Sequence, residues 1–196
     1  MNKLEINKES LKYNIDKILK NANISTKIIA VVKINAYGLG LVPFSKFLIE
    51  NGIDFFAVAT PEEAFVLRKN GINCNILLLT PVIEKDTIKE LIKNDIIITI
   101  GSSYELNLIN EMYDTLNVKK IKAHVKIDTG FSRYGFLYNE FEEIKNTFIN
   151  EKIDVQGTFT HFSKNRDESW TNIQFNRFMN VVEYLRKNNI NPGLLH

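Results

Sequence analysis

Lys33 stands where an apolar run, residues 28–32, meets a polar, glycine-containing segment, Ile34-Asn35-Ala36-Tyr37-Gly38-Leu39-Gly40. An amine at the end of a buried strand is partly desolvated, which weakens its hold on a proton and leaves it able to attack a carbonyl group. Tyr37, four residues on, can bring a phenol to the same strand end, and Gly38 and Gly40 permit a tight turn. A second group lies in Lys126-Ile127-Asp128-Thr129-Gly130-Phe131-Ser132-Arg133-Tyr134-Gly135. Strand alternation puts Lys126 and Asp128 on one face and Val125 and Ile127 on the other. The guanidinium of Arg133 suits a phenolate or a carboxylate. His161 follows residues 155–160 much as Lys33 follows its own strand. Taken singly, each has a plainer role: a solvated strand-end lysine, a Lys126–Asp128 ion pair, a structural histidine.

Short β-branched runs alternating with segments of helical spacing must position these groups, the pattern of βαβ units around a parallel sheet. The runs are residues 27–33, 55–58, 76–79, 96–100, 123–127 and 155–160. Several are nearly all apolar, as strands covered on both faces are. Helical spacing covers residues 43–50, 62–69, 85–93, 104–116, 139–150 and 172–187. Thr60 before Pro61 predicts an N-cap with proline at the first helical position, Asn70-Gly71 predicts the end of that helix, and Ser103 predicts the cap of the next but one. Ahead of these units, residues 4–7 read as a short strand and residues 8–20 as a helix.

That makes six strand-plus-helix units, with Asn191-Pro192-Gly193-Leu194-Leu195-His196 opening a seventh strand. No low-complexity linker interrupts the chain, so residues 1–196 read as one domain. Both a doubly wound sheet and a (β/α)₈ barrel of the TIM type fit this α/β pattern. No Gly-x-Gly-x-x-Gly turn follows the first strand, and the motifs favour the barrel, with Lys33, Arg133 and His161 at its mouth.

The composition narrows the class of function. Of 196 residues, 44% are hydrophobic and 24% charged, the balance of a globular domain able to bury a core. A net charge of +2 offers no field for nucleic acid or a membrane surface. Cys74, the single cysteine, excludes an internal disulfide framework and multi-cysteine zinc patterns, and fits a reducing cytoplasm. No export signal is visible and no run approaches the ~20 apolar residues of a membrane span. Small-molecule chemistry without a metal is the expectation.

The string Val31-Val32-Lys33-Ile34-Asn35-Ala36-Tyr37-Gly38-Leu39-Gly40 closely resembles the alanine racemase signature. The resemblance implies that Lys33 carries pyridoxal 5'-phosphate as a Schiff base and that Tyr37 hydrogen-bonds the cofactor phosphate. Leu39 departs from the family, which commonly has histidine there. The segment from Lys126 to Gly135 resembles the family's Lys-x-Asp-Thr-Gly-x-x-Arg-x-Gly. This implies that Arg133 contacts the cofactor's phenolic oxygen and the substrate, and that Lys126 is carbamylated and holds Arg133. Thr160-His161-Phe162 is similar to the family's Thr-His-Phe, which implies contact of His161 with the surroundings of the cofactor ring. Gln174 and Phe178 match a Gln-x-x-x-Phe pattern and read as packing, while Glu62, Glu63, Glu142 and Glu143 read as solvated faces.

The resemblance covers residues 4–196 and implies the N-terminal six to seven βα units of an incomplete barrel, with the C-terminal β domain absent. Residues 4–7 would pair with that domain. The implied reaction is interconversion of L- and D-alanine, supplying D-alanine for peptidoglycan. It needs a proton acceptor on each face of the substrate. Lys33 would serve one face, and a tyrosine from the C-terminal domain of the partner in a homodimer the other; no residue here matches that tyrosine. These residues alone are therefore expected to be inactive. Two rivals stay open: a serine racemase or another pyridoxal-phosphate barrel enzyme or carrier, and a non-enzymatic truncated product that binds cofactor weakly or only associates with other chains.

Overall fold

Thr60-Pro61-Glu62-Glu63 does what its spacing predicts. In the computed structural model, which describes residues 5–164 and 166–196, the Thr60 side chain accepts from the Glu63 N–H at 3.3 Å, and the Glu63 carboxylate reaches back to the Thr60 N–H at 3.3 Å. This capping box, with Pro61 at the first helical position, starts α4 (Pro61–Lys69), which Asn70 ends. Such a cap stabilises a helix by about 1 kcal/mol.

The chain divides into two compact units, residues 1–77 and 78–196. The first unit begins with α1 (Lys8–Asn21). Leu4 lies outside the described residues, and the strand expected at residues 4–7 does not form over the rest. Asn7 instead caps α1, its side-chain oxygen accepting the Ser10 N–H at 3.0 Å. An Asx side chain that can satisfy an open helix end outcompetes a strand with no partner nearby. Then come β1 (Ala30–Val31), the turn α2 (Lys33–Tyr37), α3 (Leu41–Glu50), β2 (Phe55–Val58), α4 and β3 (Asn75–Leu78). The sheet order is β1-β2-β3, and β1 pairs parallel with β2 through Ala30↔Phe56 and Val31↔Ala57. All four residues of β2 are buried, as a strand covered on both faces requires.

The second unit continues the repeat: α5 (Lys85–Lys93), β4 (Ile98–Ile100), α6 (Ser103–Met112), a 3₁₀ turn (Tyr113–Thr115), β5 (Ile121–Asp128), β6 (Phe136–Leu137), α7 (Phe141–Phe148), β7 (Ile153–Phe159), α8 (Glu168–Lys187) and β8 (Leu194–Leu195). Strands run β4-β5-β7-β8, with β6 beside β5, and every pairing is parallel. Ile88 of α5 packs with Leu108 and Met112 of α6, flanked by Val82, Ile92 and Leu116. Each fully buried side chain of this size contributes about 1.5–3 kcal/mol. The N-cap of α6 is Ser102 rather than Ser103: its hydroxyl accepts the Glu105 N–H at 3.3 Å. The six strand-plus-helix units and the seventh strand at residues 194–195 match the sequence expectation. Among the described residues, no helix is long and apolar enough to cross a membrane.

Candidate active site

At the end of β1 the ladder makes one more bond, from the Val32 N–H to the Ala57 carbonyl at 2.9 Å, and then the chain reverses its hand. Ile34, Asn35, Ala36 and Tyr37 have φ of 54°, 52°, 54° and 53°, so α2 is a left-handed helical turn, closed by Gly38 at φ 92°. An L-residue pays roughly 1–2 kcal/mol for this conformation, so four in succession store roughly 4–8 kcal/mol. Hydrogen bonds hold the turn. The Ala36 N–H donates to the Val32 carbonyl at 2.9 Å, and the N–H groups of Gly38 and Gly40 converge on the Asn35 carbonyl at 3.1 and 3.0 Å. The Asn35 side chain accepts the Leu41 N–H at 2.8 Å, and the Ile34 N–H donates to the Glu63 carboxylate. Glu63 is therefore no solvated residue. The sequence showed Thr60 as a cap, but neither of the two roles of Glu63.

Strained backbone at residues other than glycine marks functional sites, and this turn carries two of the expected site residues. Lys33 is half-buried at its start, and Tyr37, 63% exposed, presents its phenol at its end. Leu39 lines an apolar groove with Leu11, Pro43, Phe44 and Phe47. An apolar side chain suits that place.

In the second unit, Lys126 and Asp128 lie buried near the end of β5. Asp128 turns its carboxylate onto the loop that follows: one oxygen accepts the N–H groups of Gly130 (2.8 Å) and Ser132 (3.1 Å), the other that of Arg133 (3.0 Å). Burial pushes this carboxyl up, but the three N–H groups and the nearby Lys126 outweigh it and hold the pKa below its ordinary value. Asp128 thus shapes the loop, a larger role than the simple ion pair. Burial pushes the Lys126 amine down to about 8, against the attraction of Asp128. Near neutral pH about a tenth of that amine is then neutral and nucleophilic.

The loop delivers Arg133 to the surface, with its guanidinium 4.3 Å from the centre of the Phe131 ring. His161 meets the same ring edge-on at 4.9 Å. Phe131 is the contact between the two expected residues, and the sequence gave no signal for it. The hydroxyls of Thr129 and Thr160 join the two strand ends at 2.8 Å. Gln174, fully buried in α8, accepts the Ser163 N–H at 3.0 Å and donates to the Ser163 carbonyl at 3.0 Å. Arg177 donates to the Thr129 carbonyl at 2.9 Å. Gln174 is a packing residue, as expected, and the segment it clamps is the one that carries His161.

Tyr134 makes a further anchor that the sequence did not reveal. Its hydroxyl lies 2.8 and 2.9 Å from the two oxygens of Glu105, which is 4% exposed. Glu105 also accepts the Gly101 N–H at 2.8 Å and the Ser102 hydroxyl at 3.0 Å. Burial raises the Glu105 carboxyl against these bonds, and burial together with Glu105 raises the Tyr134 phenol. Nearby, His124 is fully buried, with Nδ1 2.8 Å from Nε2 of His196. A Cβ at Gly157 would stand 2.6 Å from the His124 ring, so only glycine lets β7 pass.

Parallel βα units with a lysine on a strained turn at a strand end, and a guanidinium and an imidazole on loops after later strands, define an α/β protein of the (β/α)₈ type, here incomplete. Residues 6–196 match the family described as "Alanine racemase, N-terminal domain", and the chain belongs to that family. It is 40% identical to the alanine racemase of Methanococcus maripaludis, over 98% of this chain and 52% of that protein. It is 36% identical to alanine racemase 2 of Caldanaerobacter subterraneus, over 99% of this chain and 50% of that protein. The alanine racemase of Clostridium difficile 630, in complex with cycloserine, matches at a TM-score of 0.90 with 33% identity, covering 96% of this chain and 52% of that one. The chain thus spans about half the length of the relatives it matches.

Proposed function

We propose that Lys33 carries pyridoxal 5'-phosphate and that the protein to which these residues belong interconverts L- and D-alanine. The observation that carries this reading is α2, which offers the amine of Lys33 and the phenol of Tyr37 from a single strained turn. The donor set fits an aldehyde-bearing phosphate: an amine for the aldehyde, a phenol for the phosphate, and the exposed guanidinium of Arg133 for the phenolic oxygen. When bound, the cofactor accepts the electron pair left on Cα of an amino acid as its proton departs.

The chain's own residues do the rest. Tyr37 binds the phosphate, and Arg133, resting on Phe131, orients the substrate carboxylate. His161 packs against Phe131, and Lys126, carbamylated, holds Arg133 in place. Lys33 would move the proton on one face of the substrate. We assign the base on the other face to a tyrosine of a C-terminal β domain in the partner subunit of a cytoplasmic homodimer, with residues 1–196 as the N-terminal barrel portion. D-Alanine for peptidoglycan is the product this reading supplies; nucleic acid and membrane have no part in it.

Borohydride reduction of the full-length protein with its cofactor, followed by peptide mapping, tests the reading. Label on Lys33 together with conversion of L- to D-alanine is expected. Label on another lysine, or carbon dioxide released without D-alanine, overturns it. Residues 1–196 alone are expected to turn over little substrate, and substantial turnover removes the case for an external base.

A further inference from the structure

We propose that Glu63 is the positioning residue that sets the direction of Lys33, by gripping the peptide bond that joins Lys33 to Ile34. The proposal rests on the reading of Lys33 as the cofactor lysine. It starts from the way the β1–β2 ladder stops. In a parallel pair, alternate N–H groups of one strand donate to alternate carbonyls of its neighbour. Val32 makes such a bond to Ala57 at 2.9 Å. The next donor in that series is the N–H of Ile34, but the chain has turned left-handed at Ile34, with φ 54°.

A carboxylate takes over at that point. One oxygen of Glu63 accepts the Ile34 N–H. The other accepts the N–H groups of Ala59 at 2.9 Å and Thr60 at 3.3 Å, just past the end of β2. A capping box needs only this second set of bonds. The bond to Ile34 therefore serves the turn, not the helix. It fixes the plane of the peptide whose carbonyl belongs to Lys33, and that plane governs where the Lys33 side chain starts. Asn35, whose side chain accepts the Leu41 N–H at 2.8 Å, secures the far end of the same turn. Only acceptor chemistry serves here: three N–H groups converge on two oxygens, and an amide in place of the carboxylate sets a donor against one of them.

Two variants of the full-length protein separate this role from helix capping. Glu63→Gln keeps size but spoils the acceptor pair, while Thr60→Ala removes the other half of the capping box, the Glu63 N–H to Thr60 Oγ1 bond of 3.3 Å, and leaves the carboxylate. Amide hydrogen exchange at Ile34 is expected to rise at least tenfold in Glu63→Gln and to change little in Thr60→Ala. With pyridoxal phosphate as the probe, Glu63→Gln is expected to weaken cofactor affinity at least tenfold and to shift the pH at which the visible band of the lysine-bound cofactor titrates; Thr60→Ala is expected to do neither. Equal behaviour of the two variants in exchange, affinity and titration overturns the proposal. If the wild-type protein takes no cofactor on Lys33, the reading of function falls, and exchange at Ile34 still decides whether Glu63 holds the turn.

Discussion

Acidification should weaken the second unit through His124, and also through its neighbour His196, whose pKa burial lowers to about 4. His124 is fully buried, Nδ1 lies 2.8 Å from His196, and β7 passes so close at Gly157 that a Cβ there would stand 2.6 Å from the ring. Burial, and secondarily His196, lowers its pKa from 6.5 to about 3. Between those values the unfolded chain binds a proton that the folded chain refuses. Stability therefore rises with pH across that window: it is complete above 6.5 and is lost as the pH falls. At pH 5, roughly 1.5 units below the unfolded value, His124's share of the loss is about 2 kcal/mol at ~1.4 kcal/mol per unit. Urea unfolding followed by the fluorescence of Trp170 at pH 7.5 and pH 5 measures it. His124→Gln removes the titration and should cut the acid loss by about 2 kcal/mol, although it is less stable at neutral pH. Equal acid losses in the two proteins, or an NMR titration of the His124 ring near 6.5, would refute the reasoning.

Three other outcomes are expected. Tyr134→Phe removes the phenol that donates to buried Glu105 and should cost about 1.5–3 kcal/mol. Its Glu105 carboxyl, already raised by burial, rises further, so denaturation should show a larger deficit at pH 8 than at pH 5; a deficit that shrinks with pH contradicts this. Ile34→Gly relieves about 1–2 kcal/mol of left-handed strain against about 0.5–1 kcal/mol of added freedom in the unfolded chain. With the Ile34 side chain 66% exposed, thermal unfolding should show a gain of about 0.5–1 kcal/mol, and a clear loss would refute the strain. Finally, protein exchanged into ¹³C-bicarbonate should give a carbamate carbonyl resonance that Lys126→Ala lacks; a resonance that persists in the variant places the modification elsewhere.

Most helices were legible because their signals are local. The periodicity of α5 gave its limits at Lys85 and Lys93, and Thr60 with Pro61 gave the start of α4. The misreadings occur where a local signal met a tertiary competitor. The expected strand over residues 27–33 contracts to Ala30–Val31 because the ladder ends where α2 begins. Ile34 is β-branched and reads as strand, yet it sits in a left-handed turn that no propensity favours. Ser102 and Ser103 are both able to cap a helix, and one residue of register decided between them. Lys33, Tyr37, Lys126, Arg133 and His161 stood out in the sequence because their types and spacings form motifs. The contacts of Phe131 with His161, Arg177 with Thr129 and Tyr134 with Glu105 did not, because each spans 29 or more residues of chain.

The backbone of α2 has the hand that a chain of D-amino acids would adopt. Synthesis of this stretch with D-alanine at position 36 would remove the conflict at that one residue, and would show by difference what mirror-image geometry costs a natural chain there. For the natural chain the conflict shapes the order of events. While it emerges from the ribosome, Ile34 has only ordinary right-handed or extended conformations to favour, because the carboxylate that receives its N–H lies 29 residues further on. The turn can be locked only after that later segment exists, so Lys33 must wait for its mould to be made.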